Sequence, residues 1–150
     1  MTLRDTITAI EKVALAQPAV QMLVRGDVYK LNATPDARYA AFAWTQGQHR
    51  LDAGGDTHTF AFTLFYVDRL TADKGNEVEV QSMGVQTLEN VIRTLEQRGI
   101  FPAEGWTMQP FRERFEDECA GVYASVRLSV PGDTLCEYEY NDETENKKIV

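Results

Sequence analysis

The chain has 150 residues, the length of one domain, and can bury about two-thirds of the surface its unfolded form exposes. An apolar fraction of 43% and a charged fraction of 25% are those of a globular protein, so most of the chain is expected to fold. The formal net charge of -8 excludes a basic footprint for gripping nucleic acid or an anionic membrane from outside. An acidic channel wall is a different case: it repels DNA and lets it slide.

Residues 1–17 mix charged with apolar positions and lack the apolar stretch of a signal peptide. No window approaches the roughly 18 apolar residues of a membrane span. Leu3, Ile7, Ile10 and Ala14, widened by Val13, recur at helical spacing and predict an amphipathic helix over 3–17. Thr2 is placed to cap it, with Asp5 completing a capping box, and Pro18 ends it. Val20 to Leu31 holds β-formers around Gly26 and Asp27, predicting one or two short strands with a turn at the glycine. Asn32 to Arg38, with Pro35 and Asp36, reads as a loop.

Two long strands are predicted next, over 39–51 and 57–70, joined through Gly54 and Gly55 as a hairpin. The second places Phe60, Phe62, Leu64 and Tyr66 on one face and Ala61, Thr63, Phe65 and Val67 on the other. Apolar residues on both faces predict that both are covered, one by helices and the other by a neighbouring subunit. Asn76, with Glu79 in a second capping box, starts a second helix with Val85, Leu88, Ile92 and Leu95 as its buried stripe and Val91 beside it. Gly99 and Pro102 stop that helix. Thr107 to Phe115 reads as extended, and Asp117 to Gly121 as a turn or bulge. Val122 to Val130 then alternates cleanly as a half-buried strand that Pro131 and Gly132 end. From Asp133 the chain turns acidic, with few core formers. Residues 133–150 read as a mobile acidic tail or as an arm that orders on a partner, and Tyr138 and Tyr140 favour the arm. The expectation is an α+β domain over 1–132, an antiparallel sheet packed by two helices, followed by this acidic arm.

Chemistry is harder to find. His49 and His58 flank the predicted hairpin turn, and with Asp52 or Asp56 they are the right residue types for a metal. Loop-tip polar groups are more often simply solvated, and that reading is preferred. No Gly-rich phosphate loop and no nucleophile elbow occurs. Cys119 and Cys136 match no zinc or redox spacing and read as reduced thiols; Glu116, Asp117 and Glu118 would raise the pKa of Cys119, not activate it. Phe111-Arg112-Glu113-Arg114-Phe115 has the aromatic and basic content of a nucleic-acid patch, but the acidic run beside it cancels the charge. The preferred reading puts Phe111 and Phe115 in a core or interface and pairs Arg112 and Arg114 with carboxylates. Neither catalytic residues nor a cofactor is expected.

The run Thr63-Leu64-Phe65-Tyr66-Val67-Asp68-Arg69-Leu70, then Asn76-Glu77-Val78-Glu79-Val80-Gln81-Ser82, resembles structural proteins of tailed phages and prophages of gut Bacteroidetes, crAss-like phages among them. So does Phe111 to Ala124. The element order is similar to the tail terminator and tail-completion (head–tail neck) family, in which a helix, an antiparallel sheet, a second helix and a last strand follow in turn. The resemblance implies a virion protein of the neck or tail, assembled in the bacterial host cytoplasm. Such a protein forms a homo-oligomeric ring, commonly of six, that caps the tail tube and joins it to head-connector proteins. DNA passes through its lumen without specific binding, and no membrane is involved. A ring requires a heterologous, closing interface, and the candidates here are Phe65, Val67, Arg69, Phe111, Arg112 and Arg114. Alternatives are another connector or tail ring, a stopper or tube protein, and a cytoplasmic binding module whose acidic arm imitates nucleic acid.

Overall fold

The computed structural model describes residues 1–34, 36–52, 54–115 and 117–132; the acidic arm and Cys136 lie outside the described residues. Its elements in chain order are α1 (Leu3–Leu15), β1 (Met22–Arg25), a 3₁₀ helix (Val28–Ala33), β2 (Ala41–Leu51), β3 (Thr57–Arg69), α2 (Glu77–Gln97), β4 (Phe101–Pro102), β5 (Thr107–Arg114) and β6 (Glu118–Pro131). The chain is an α+β domain. The sheet runs β1-β2-β3-β6, and β6 is then bordered by β4 at one end and β5 at the other.

The α1 capping box forms as expected. Thr2 Oγ1 accepts from the Asp5 amide at 3.1 Å, and the Asp5 carboxylate accepts from the Thr2 amide at 2.9 Å. The helix ends at Leu15, two residues before the expected boundary. Ile10, Val13 and Ala14 are buried, while Leu3 and Ile7 pack at the core margin.

The sheet departs from the all-antiparallel expectation at one place: β1 pairs with β2 in parallel. Parallel neighbours require a crossover, and residues 26–40 provide it. Only the first half of the Val20–Leu31 segment is a strand. Gly26, at φ 84, turns the chain in a conformation that a side chain would disfavour. Asp27 then caps the 3₁₀ helix by accepting from the Tyr29 amide at 2.8 Å. This helix buries Val28 and Leu31 on the sheet's second face.

α2 crosses the first face, but its stripe is rotated from the expected one. Val80, Gly84, Thr87, Leu88, Val91, Ile92 and Leu95 are buried, whereas Val85 is exposed. The reason is Gly84. A methyl group there would sit 3.0 Å from the Tyr66 ring and 3.1 Å from Val122, so the helix approaches the sheet closely along the glycine's side and Val85 turns away. Asn76 also takes a role other than the expected cap. Its side chain accepts from the Thr71 amide at 2.8 Å and donates to the Arg69 carbonyl at 3.1 Å, which ties the β3–α2 turn shut. Gly99, at φ 83, ends the helix as its sequence position predicts.

β3 and β6 form the centre, paired without interruption from Thr57↔Pro131 to Arg69↔Cys119. β6 therefore begins at Glu118, where a turn was expected, and Gly121 lies inside a strand. The main core joins α1 and α2 to Phe42, Phe60, Phe62, Leu64, Tyr66 and the even-numbered residues of β6 from Ala120 to Val130. β2 carries an irregularity between Gln46 and His49, which sets Gly47 and Gln48 outside the regular register.

Candidate interaction surface

The second face of the sheet, away from α1 and α2, is covered over only part of its length. Val24, Val28, Leu31, Ala41, Ala43, Val67, Phe115 and Cys119 form a small cluster there. Beside it Phe65, Phe111 and Tyr123 meet as a half-buried aromatic trio. Phe65 lies 6.3 Å from Phe111, edge to face, and 5.7 Å from Tyr123; Phe111 lies 6.1 Å from Tyr123. Strand register builds the trio. Phe65 is directly opposite Tyr123, and Phe111 is opposite Gly121. Gly121 makes room for it, since a methyl group there would stand 2.9 Å from the Phe111 ring and would collide with the Tyr66 carbonyl oxygen.

The six candidate interface residues divide on this framework. Phe65 and Phe111 come together at the surface. Val67 does not belong with them: it is fully buried in the chain's own second cluster, because the 3₁₀ helix covers that end of the face. Arg69 is exposed, and its guanidinium lies 5.3 Å from the Tyr39 ring centre, a cation–π contact. Arg112 and Arg114 belong to the opposite face of β5 and are engaged with carboxylates, as the sequence suggested. Arg112 pairs with Glu77 at the start of α2, and Arg114 reaches Glu118 at 3.8 Å. Lys74 also pairs with Glu118, at 3.1 Å; its hydrogen bond and then its charge hold that carboxyl below the usual range. Both arginines remain open to water, with 50% and 76% of their side chains exposed. Tyr123, the third ring of the trio, was not singled out from sequence. The signal was its place in the β6 alternation, opposite the buried valines.

The histidines correct a second expectation. His49 and His58 do lie near the hairpin, but both rings pack against Phe60, His49 edge-on at 5.1 Å and His58 stacked at 5.8 Å between centres. The Nδ1 atom of each is buried without a hydrogen-bond partner, while His49 Nε2 contacts the Gln46 amide oxygen at 3.0 Å. They are half-buried packing groups, not solvated loop tips. Among the described residues no three metal-ligating side chains converge. Cys119 is fully buried, and burial pushes its thiol up to about 11, with the Asp117 charge adding to the effect. At neutral pH it is a protonated thiol with no nucleophilic character.

One further polar group is structural. Glu11 of α1 accepts from Trp44 Nε1 at 2.9 Å and pairs with Arg25 at 2.8 Å, which ties the helix to β1 and β2. Burial pushes this carboxyl up, but the hydrogen bonds from Arg25 and Trp44, with the Arg25 charge, outweigh that and hold it below the ordinary glutamate range. No helix among the described residues is long and apolar enough to cross a membrane. No protein-family model matches the chain, and no curated protein matches it.

Proposed function

We propose that the chain is a structural protein of a phage neck or tail, a terminator-like subunit whose ring caps the tail tube and joins it to the head connector. The observation that carries this reading is the aromatic trio Phe65, Phe111 and Tyr123, partly exposed on the sheet face away from α1 and α2, beside the part of it that the 3₁₀ helix covers. Partly exposed aromatic rings are typical of subunit contacts. The helices meanwhile close the protomer's own core on the other face. The resemblance in residues 63–70, 76–82 and 111–124 falls on the segments that build the trio and its neighbours. The net charge of -8 suits a ring through which DNA passes without being held. Cofactors have no part in this reading; the partners are further copies of the chain, the tail-tube protein and the connector.

The test is to mix purified protein with preformed tail tubes and with polymerising tube protein, and to image both. Capped ends and arrested growth are expected. Tubes that keep growing beside unbound protein would overturn the proposal.

A further inference from the structure

The helical layer on the sheet's first face has two outer flanks, one at each side of the sheet. α1 packs toward β1, and α2 lies over β3 and β6, so each helix turns one flank to the other helix and one flank outward. On α2, Met83, Gln86 and Asn90 border the Gln17–Ala19 turn that follows α1, which identifies the inner flank. Val78, Val85, Glu89 and Glu96 occupy a single helical stripe on the outer one. The two valines are 74% and 42% exposed, so the stripe is apolar at its start and acidic at its end.

The outer flank of α1 is its counterpart at the β1 side. Leu3 and Ile7 are half-buried there, and with Trp44 they floor a cleft of about 450 Å³ whose rim carries Arg4, Glu11 and Arg25. The two flanks are complementary in charge. In the cleft two arginines stand against one carboxylate: Arg25 pairs with Glu11, and Arg4 has no ion-pair partner among the described residues, which leaves a surplus positive charge. On α2 two carboxylates share one arginine: Arg93 reaches Glu89 at 3.7 Å and Glu96 at 3.8 Å, which leaves a surplus negative charge. The flanks cannot meet within one chain, because the helices turn them in opposite directions.

We infer that the outer flank of α2 in one copy seats in the cleft between α1 and β1 of a second copy. The valine ridge lies along the apolar floor, and Glu89 faces Arg4. With Val85 on Ile7, one turn forward on α2 meets one turn back on α1, so the two helices run antiparallel. The helical layer then continues from copy to copy at the usual spacing of about 8–10 Å between packed helices. The two surfaces differ and lie at opposite sides of the protomer, so the contact is heterologous and each copy gives one flank and receives another. The inference deepens the ring reading and rests on it for closure alone. It leaves the aromatic trio, on the other sheet face, to meet the tube or the connector.

The test uses the full-length chain. Sedimentation velocity over a concentration series compares wild type with R4E, with E89R, with R4E/E89R and with an equal mixture of the two single variants. Wild type should assemble as concentration rises. Each single reversal should raise the concentration of half-assembly roughly fivefold. The double variant and the mixture should recover it, because each reversed cleft then receives a reversed flank. V78S/V85S should weaken assembly about tenfold or more while melting like wild type, since both side chains are exposed in the single copy. M83S, on the inner flank, should assemble as wild type does. Single reversals that assemble like wild type, a double variant weaker than its parents, or a wild type that stays monomeric would each overturn the contact. Tube capping judges the ring reading separately: V78S/V85S that still caps tail tubes as wild type does would overturn the helix contact alone, and wild type that neither assembles nor caps would overturn both.

Discussion

Gly121→Ala is the most demanding test of the central ladder. Gly121 sits in β6 between Val67 of β3 and Phe111 of β5, so its backbone is held from both sides. An added methyl group would collide with the Tyr66 carbonyl oxygen and stand 2.9 Å and 3.0 Å from two carbons of the Phe111 ring. The ring can swing away, but the carbonyl cannot, because Tyr66 is paired within the ladder and is nearly fully buried. β6 must therefore shift from β3. Overpacking a tight core costs about 1–3 kcal/mol, and each ladder hydrogen bond lengthened or lost adds about 1 kcal/mol. A loss of about 3 kcal/mol or more is expected, which at this chain length lowers the melting temperature by roughly 6–12 °C. Urea unfolding followed by circular dichroism, with fixed m-values, gives the difference directly. Gly105→Ala, where nothing lies within 4 Å, is the matched control and should change little. Gly84→Ala should fall between them. Its neighbours are side chains that can give way, and alanine gains about 1 kcal/mol of helix propensity. A Gly121→Ala variant as stable as the Gly105→Ala control would refute the geometry of the β3–β6–β5 ladder.

The remaining tests address single contacts. Val91→Ala, at a fully buried site, should cost about 2 kcal/mol by loss of buried methyl groups, whereas Val85→Ala, 42% exposed, should stay within about 0.5 kcal/mol; equal effects in denaturant titrations would contradict the rotation of α2 about Gly84. Glu11→Gln should cost about 1–2 kcal/mol through the weakened bonds to Arg25 and Trp44, and in a Trp106→Phe background should alter Trp44 fluorescence. Because the folded Glu11 carboxyl is held below its ordinary value, its stabilisation is present above the normal glutamate range and is lost as pH falls through and below it. A pH titration of stability should therefore fall less steeply at acid pH in Glu11→Gln; parallel curves would count against the assignment. In a Cys136→Ser background, Cys119 should resist alkylation at pH 8 until urea unfolds the chain, and rapid native labelling would contradict its burial.

The sequence made the long-period elements legible and failed where a short element or a tertiary contact decided. The β3 alternation and the Thr2–Asp5 box appear in the fold as their patterns predict, because each is fixed by residues close in sequence. The 3₁₀ helix was missed because Val28, Tyr29 and Leu31 carry β-former chemistry, and only the Asp27 cap and the turn at Gly26 redirect them. The parallel β1–β2 pair follows from that same crossover, which no local pattern announces. Val85 was misplaced because a glycine three or four residues from buried leucines and valines carries no hydrophobic weight, although it marks the closest approach of helix to sheet. At the surface, Phe65 and Phe111 were readable as apolar residues on a second face. Val67, on the same face, was not separable from them, since what buries it is the unforeseen 3₁₀ helix.

That division of one sheet face has a mechanical consequence. Where the 3₁₀ helix lies, the face is spent on the protomer, and Val67 contributes to folding stability alone. Where it does not lie, the aromatic trio is held by cross-strand register and by the space at Gly121, so its geometry is set before any partner arrives. A preformed aromatic patch loses little side-chain freedom on contact, which favours association without a change of fold. Phe65→Ala and Phe111→Ala should consequently behave differently from Val67→Ala. The two phenylalanine variants should weaken self-association or tube capping while lowering stability by about 1–2 kcal/mol, in proportion to their partial burial. Val67→Ala should cost about 2–3 kcal/mol of stability and leave assembly by the surviving folded protein unchanged. Unfolding titrations and sedimentation on the same three proteins separate these outcomes. Assembly lost in Val67→Ala at temperatures where it remains folded would mean that the boundary between core and contact surface has been drawn in the wrong place.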